Sequence, residues 1–130
     1  MPLKSSMKIL LVDAAATNRQ SLKKVFTGLG FKNILEAPDG ETAWKKIEEA
    51  EPAVELIVAD WDLPKISGLE LLQKVRGTEA YKSTKFLMIT GEAAQQNVII
   101  AVKNGVNNVM VRPFSANTVT EKLAKIYNQK

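Results

Sequence analysis

Four short apolar runs in this sequence each end on a residue that can do chemistry. ILLV at 9–12 is followed by Asp13, LIVA at 56–59 by Asp60, FLMI at 86–89 by Thr90, and VMV at 109–111 by Arg112. Two carboxylates, a hydroxyl and a guanidinium form a coherent set. They offer a nucleophile, an edge that attracts a cation, and two groups able to hold phosphoryl oxygens. Each residue taken alone reads as well as a helix cap or the end of a turn, but four complementary groups at four successive run ends favour a site. Cysteine and histidine are both absent. Thiolate and imidazole chemistry is therefore excluded, and the work falls to carboxylates, hydroxyls, amines and guanidinium groups.

The elements that must position these residues follow from periodicity. Continuous apolar runs of three or four residues suit central strands of a parallel sheet, covered on both faces. Asn33-Ile34-Leu35-Glu36-Ala37 is more polar, as an edge strand would be. Between the strands lie helical patterns. Thr17 with Gln20 forms a candidate capping box for a helix bearing Leu22, Val25, Phe26 and Leu29, which Gly30 stops. Asp39 caps a second helix with Ala43, Trp44 and Ile47, and Ser67 with Glu70 opens a third with Leu71, Leu72 and Val75. A fourth runs through Val98, Ile99 and Val102 to Gly105, and Ser115 caps a fifth with Val119, Leu123 and Ile126 inward.

Five strands alternating with five helices give an α/β fold, a sheet between two layers of helix. Right-handed crossovers and the polar second strand predict a doubly wound, flavodoxin-like sheet in the order 2-1-3-4-5. In such a sheet the ligand site lies beyond the carboxyl ends of the strands, where the four residues fall. The 130 residues suffice for one domain, expected over 7–130, with a flexible N-terminus at 1–6. Hydrophobic residues at 45% and charged residues at 25% are ordinary for a soluble globular chain. No apolar run is long enough for a bilayer, so a cytoplasmic protein without membrane contact is expected. The net charge of +4 comes from scattered lysines and arginines, without the clustering that nucleic-acid binding requires.

ILLVD, VADWDLPKISGLELL, MITGEA and VRPF, in that order, resemble the CheY-like single-domain response regulator, the receiver domain of chemotaxis, over nearly the whole chain. The resemblance implies a two-component phosphorelay receiver rather than a stand-alone enzyme. Asp60 takes the place of the phosphoacceptor, loaded by a sensor histidine kinase or phosphotransfer protein or by a small acyl phosphate. It implies Mg²⁺ as the cofactor, with Asp13, Asp60 and Asp62 on the cation side, and Thr90 and Arg112 as phosphoryl contacts. Gly91 leaves room for an oxyanion, Trp61 is partly exposed at the site, and Trp44 is packed. A cis peptide is expected between Arg112 and Pro113, where proline lowers its cost. The downstream target is expected on the face of the fourth helix, fifth strand and fifth helix, with Gln95, Gln96, Val98, Ile99 and Val102 as candidates. Most of the apolar ones are expected to bury against the sheet. The protein is expected to be a monomer.

Three positions depart from the family pattern. Ala14 stands where a second acidic residue normally ligates the cation, which weakens an oxygen-only site. Asp62 could partly substitute. Arg112 replaces a lysine, and its planar fork can form a bidentate pair with Asp60 or Asp13. Val109 replaces the aromatic that switches on activation. These changes motivate an alternative: a phosphorylation-independent pseudo-receiver acting as a protein-interaction module. A flavin or nucleotide domain on the same sheet order is disfavoured, because Ala14-Ala15-Ala16-Thr17-Asn18 lacks a glycine-rich phosphate loop.

Overall fold

A computed structural model describes residues 5–91 and 95–127. Strands β1 (Lys8–Val12), β2 (Asn33–Ala37), β3 (Leu56–Asp60), β4 (Lys85–Thr90) and β5 (Asn108–Val111) form one parallel sheet in the order β2-β1-β3-β4-β5. Helices α1 (Ala16–Gly28), α2 (Gly40–Glu49), α3 (Gly68–Gly77), α4 (Gln95–Lys103) and α5 (Ala116–Tyr127) make the crossovers, with a 3₁₀ turn at Glu79–Tyr81. Fold class and strand order are as the sequence predicts. Residues 1–4 of the expected flexible terminus lie outside the described residues. Ser5 and Ser6 are tied to the segment entering β2 through Lys32 N–H to Ser5 O (3.1 Å) and Asn33 Nδ2 to Ser6 O (2.7 Å).

Strand alternation divides the core into two. Ile9, Leu11, Leu56, Val58, Leu87, Ile89 and Met110 meet Leu22 and Phe26 of α1 and Val119, Leu123 and Ile126 of α5. Leu10, Val12, Ile57, Ala59, Phe86 and Met88 meet Ala43 and Ile47 of α2 and Leu71, Leu72 and Val75 of α3. Each fully buried aliphatic or aromatic side chain contributes on the order of 1.5–3 kcal/mol relative to exposure, so both helical layers are pinned by a contiguous apolar face.

Asp39 Oδ1 accepts the Thr42 N–H at 2.6 Å, Ser67 and Glu70 form the full capping box, and Ser115 Oγ accepts the Thr118 N–H. α1 and α4 both end in a left-handed glycine, Gly30 (φ 100°) and Gly105 (φ 89°). The following N–H groups of Phe31 and Val106 reach back to Phe26 O and Ala101 O, both at 3.1 Å, closing a Schellman motif each time.

The start of α1 corrects the sequence reading. Thr17 lies inside the first turn, and the residue before the helix is Ala15, which has no side-chain cap. Asp13 Oδ1 instead accepts the Ala15 N–H at 2.9 Å. The carboxylate that ends β1 folds the loop back on itself, leaving no position for a threonine cap.

α4 supplies the second correction. Only Ala101 is buried there, while Ile99 and Val102 are 53% and 61% exposed. With one small residue facing the sheet, the β-branched side chains at 99 and 102 point to solvent.

Candidate functional site

The hydrogen-bond ladder of the sheet continues past its strands and fixes the site's backbone. Asp13 N–H bonds to Ala37 O (3.1 Å), Trp61 N–H to Ile89 O (2.7 Å) and Arg112 N–H to Thr90 O (3.0 Å). Strand parity then assigns directions. Asp13 continues the face of Ile9 and Leu11, Asp60 that of Leu56 and Val58, and Arg112 that of Met110, all toward α1 and α5. Three charged groups at the ends of β1, β3 and β5 therefore converge, with Arg112 reaching past β4 to the two acids. Thr90 continues the opposite face, that of Phe86 and Met88, and is 3% exposed.

Arg112 bonds to both acids. Its Nη2 lies 2.7 Å from Asp13 Oδ2 and 3.1 Å from Asp60 Oδ2, and its Nη1 lies 3.3 Å from Asp60 Oδ1. The sequence left open which acid Arg112 would take. The structure gives it both. Burial works against the guanidinium charge, but the hydrogen bonds and charges of Asp60 and Asp13 outweigh it and hold Arg112 above its already high ordinary pKa. Asp13 and Asp60 are buried, at 2% and 7% exposure, so one guanidinium is shared between two carboxylates largely removed from water. The Arg112–Pro113 peptide is cis, as expected, and Glu51–Pro52 is cis as well.

Arg19, which the sequence reading did not single out, supports Asp13 from the other side. Its Nη1 donates to the Asp13 carbonyl at 2.7 Å while its Nε pairs with Glu36 at 3.1 Å. Its place on the first turns of α1, across from an acidic edge-strand residue, was the available signal.

Asp62 does not join the acids. Its side chain is exposed, and its backbone N–H, rather than its carboxylate, turns toward Asp60 Oδ1 at 3.4 Å. Among the described residues no three acidic side chains are grouped closely enough to hold a metal ion. The expected set Asp13, Asp60 and Asp62 is thus reduced to two carboxylates. The donor chemistry does not fit a divalent cation: Ala14 offers a methyl group, and three of the four remaining carboxylate oxygens face the guanidinium.

Trp61 is half-buried beside the site, as expected. Trp44 packs edge-on against Tyr81, with ring centroids 5.6 Å apart, and Lys74 Nζ lies 4.9 Å from its ring centroid. A Cβ at Gly91 would meet nothing within 4 Å, so there is room beside Thr90. An open cleft of about 490 Å³ borders Arg112, with Asn18, Ser21 and Gly91 on its walls. Val109 pairs with Met88 and is partly buried on the face of Thr90.

Comparison with known proteins identifies the family. Residues 9–124 match the response regulator receiver domain. The chain is 40% identical over 127 residues to chemotaxis protein CheY-3 of Vibrio cholerae, covering 98% of this chain and 96% of the relative. It is 39% identical over 117 residues to chemotaxis protein CheY1 of Helicobacter pylori, covering 90% and 94%. Among solved structures, a CheX–CheY–BeF3–Mg complex from Borrelia burgdorferi contains a chain of the same fold, with a TM-score of 0.87 at 24% identity, covering 95% of this chain and 90% of that one. No described helix is long and apolar enough to cross a membrane. This chain belongs to the response regulator receiver family and is homologous to the chemotaxis proteins of the CheY type.

Proposed function

We propose that this receiver accepts a phosphoryl group on Asp60 from a histidine kinase, a phosphotransfer protein or a small acyl phosphate, and passes the signal on through protein contacts. One observation carries the reading: the Asp60 carboxylate ends the central strand β3 with Arg112 across both its oxygens. A carboxylate oxygen attacks phosphorus, the bond from phosphorus to the donor breaks, and the donor leaves with the electron pair. The three phosphoryl oxygens then need positive charge and donors. Arg112 supplies the first, and Thr90 at the next strand end supplies a hydroxyl.

The module signals; it is not a stand-alone enzyme, and its catalytic part is confined to gaining and losing its own phosphoryl group. Residues 7–130 act as the receiver unit, a cytoplasmic monomer that binds neither nucleic acid nor membrane. The target docks on α4, β5 and α5, where Ile99, Val102 and Val111 are exposed. The Borrelia complex, in which a chain of this fold occurs with CheX, BeF3 and Mg, supports a protein partner and a cation for receivers of this fold. In this chain Ala14 withholds a carboxylate from the acidic end, and Arg112 engages most of what remains.

Intact-mass measurement after treatment with acetyl phosphate tests the reading. One added phosphoryl group is expected in the wild type and none in Asp60→Asn; an unmodified wild type under every cation condition refutes it. A second reading, a pseudo-receiver that binds partners without phosphorylation, is favoured by the standing engagement of Asp60 with Arg112. It predicts the unmodified result together with unchanged partner binding in Asp60→Asn.

A further inference from the structure

The misfit between this acidic end and a divalent cation has a physical cause. A small hard cation demands a near-octahedral shell of oxygens at roughly 2.0–2.1 Å and takes its protein ligands from ionised carboxylates. Here Arg112 Nη2 lies between Asp13 Oδ2 and Asp60 Oδ2, at 2.7 and 3.1 Å, and Nη1 covers Asp60 Oδ1 at 3.3 Å. The fourth oxygen, Asp13 Oδ1, accepts the Ala15 N–H. A cation placed between the two acids would stand against a half-buried guanidinium with one carboxylate fewer, at position 14, to offset the repulsion. The sequence changes at 14 and 112 are therefore complementary: one removes a ligand, and the other exchanges a point-charge ammonium for a two-pronged guanidinium that engages both remaining acids.

We propose that the Arg112 guanidinium takes over the charge-neutralising work of the divalent cation, so that Asp60 receives phosphoryl groups without Mg²⁺. This rests on the reading of Asp60 as the acceptor. With an acyl phosphate, Asp60 Oδ attacks phosphorus and the P–O bond to the acyl group breaks. The acyl carboxylate departs with the electron pair, and no proton or further reactant is needed. The negative charge gathered on the phosphoryl oxygens is met by a planar two-pronged donor, whose geometry suits phosphate as well as carboxylate.

Two measurements on the full chain test this separately from the acceptor assignment. The first is a titration with Mg²⁺ followed by Trp61 fluorescence, and with Mn²⁺ followed by electron paramagnetic resonance. No saturable change is expected in the wild type through the millimolar range. Saturable binding that Asp13→Asn abolishes overturns the proposal, whatever Asp60 does. The second is the rate of adduct formation from acetyl phosphate, in chelator and in Mg²⁺, by intact mass. Equal rates are expected in the wild type, and Arg112→Ala is expected to lower the rate in chelator by about 100-fold or more, the loss typical of one preorganised charge donor. A wild-type rate that collapses in chelator overturns the proposal. An adduct in neither condition refutes the acceptor reading instead, while the titration still decides the cation question. Ala14→Asp combined with Arg112→Lys, which keeps a positive charge and so guards against misfolding, is expected to gain saturable Mg²⁺ binding. Failure to gain it counts against the proposal.

Discussion

A Cβ added to Gly68 would lie 2.2 Å from the carbonyl oxygen of Asp60. The first residue of α3 thus presses against the backbone that carries the buried carboxylate, and Gly68 N–H bonds to Trp61 O at 3.0 Å from the same turn. Contact with a backbone atom of a central strand cannot be relieved by a rotamer change. Gly68→Ala is expected to destabilise the fold by about 1–3 kcal/mol, the usual range for overpacking, read as a lower urea midpoint. It should also displace Asp60, so that adduct formation from acetyl phosphate falls more than the loss of folded protein explains.

Removing Arg112 leaves two buried carboxylates facing one another. Breaking a buried pair by deleting one partner costs roughly 3–5 kcal/mol, and the 25% exposure of the Arg112 side chain reduces this to about 2–3 kcal/mol. Arg112→Met should show that loss in urea unfolding at neutral pH. If the double variant Arg112→Met with Asp13→Asn is no more stable than Arg112→Met, carboxylate repulsion is not the cause.

Asp39 caps α2, and its carboxyl is held below the ordinary aspartate range, chiefly by the hydrogen bond from the Thr42 backbone, against an opposing effect of burial. A depressed folded pKa contributes stability that is present above the unfolded value and is lost as pH falls through the folded one. Asp39→Ala should therefore cost about 1 kcal/mol at neutral pH, and the gap between variant and wild type should close in acid. Thermal melts across the acid range measure it.

Tyr127 behaves in the opposite sense. Burial, with a smaller effect of the Glu55 charge, pushes its phenol up to about 12, and its hydroxyl donates to Met7 Sδ at 3.2 Å. The neutral form is favoured in the folded state, so this contribution is intact below the ordinary tyrosine pKa and disappears as pH rises through the raised value. Tyrosinate absorbance should titrate late in the wild type, and Tyr127→Phe should resist alkaline unfolding better.

Ile99 and Val102 contribute little to the core, so Ile99→Ser with Val102→Ser should change stability by no more than about 0.5 kcal/mol. Binding to a protein target should weaken while adduct formation on Asp60 is unaffected. A large drop in melting temperature would mean that these side chains pack after all.

The parts of this molecule legible in the sequence are those set by local rules. β2 spans the predicted residues 33–37, the caps at Asp39, Ser67 and Ser115 follow from side chains that reach nearby N–H groups, and the strand ends mark Asp13, Asp60, Thr90 and Arg112. What escaped depends on the third dimension. The Thr17 cap failed because Asp13, assigned only to the site, also closes the loop before α1. The family resemblance implies Asp62 on the cation side beside Asp60, yet the turn after β3 directs its backbone N–H inward and leaves its side chain exposed. Arg19 reaches Asp13 only because α1 lies over the edge of the sheet next to Glu36. The exposure of Ile99 and Val102 follows from how little of α4 the sheet can cover, which apolar periodicity does not report.

Strand parity sets Asp60 and Thr90 on opposite faces at the same end of the sheet. The charged residues lie on the side of α1 and α5, whereas Thr90 and Val109 share the side packed by α2 and α3. With valine rather than a bulky ring at 109, the side of Thr90 is lined at β5 by a small side chain that has no ring to swing.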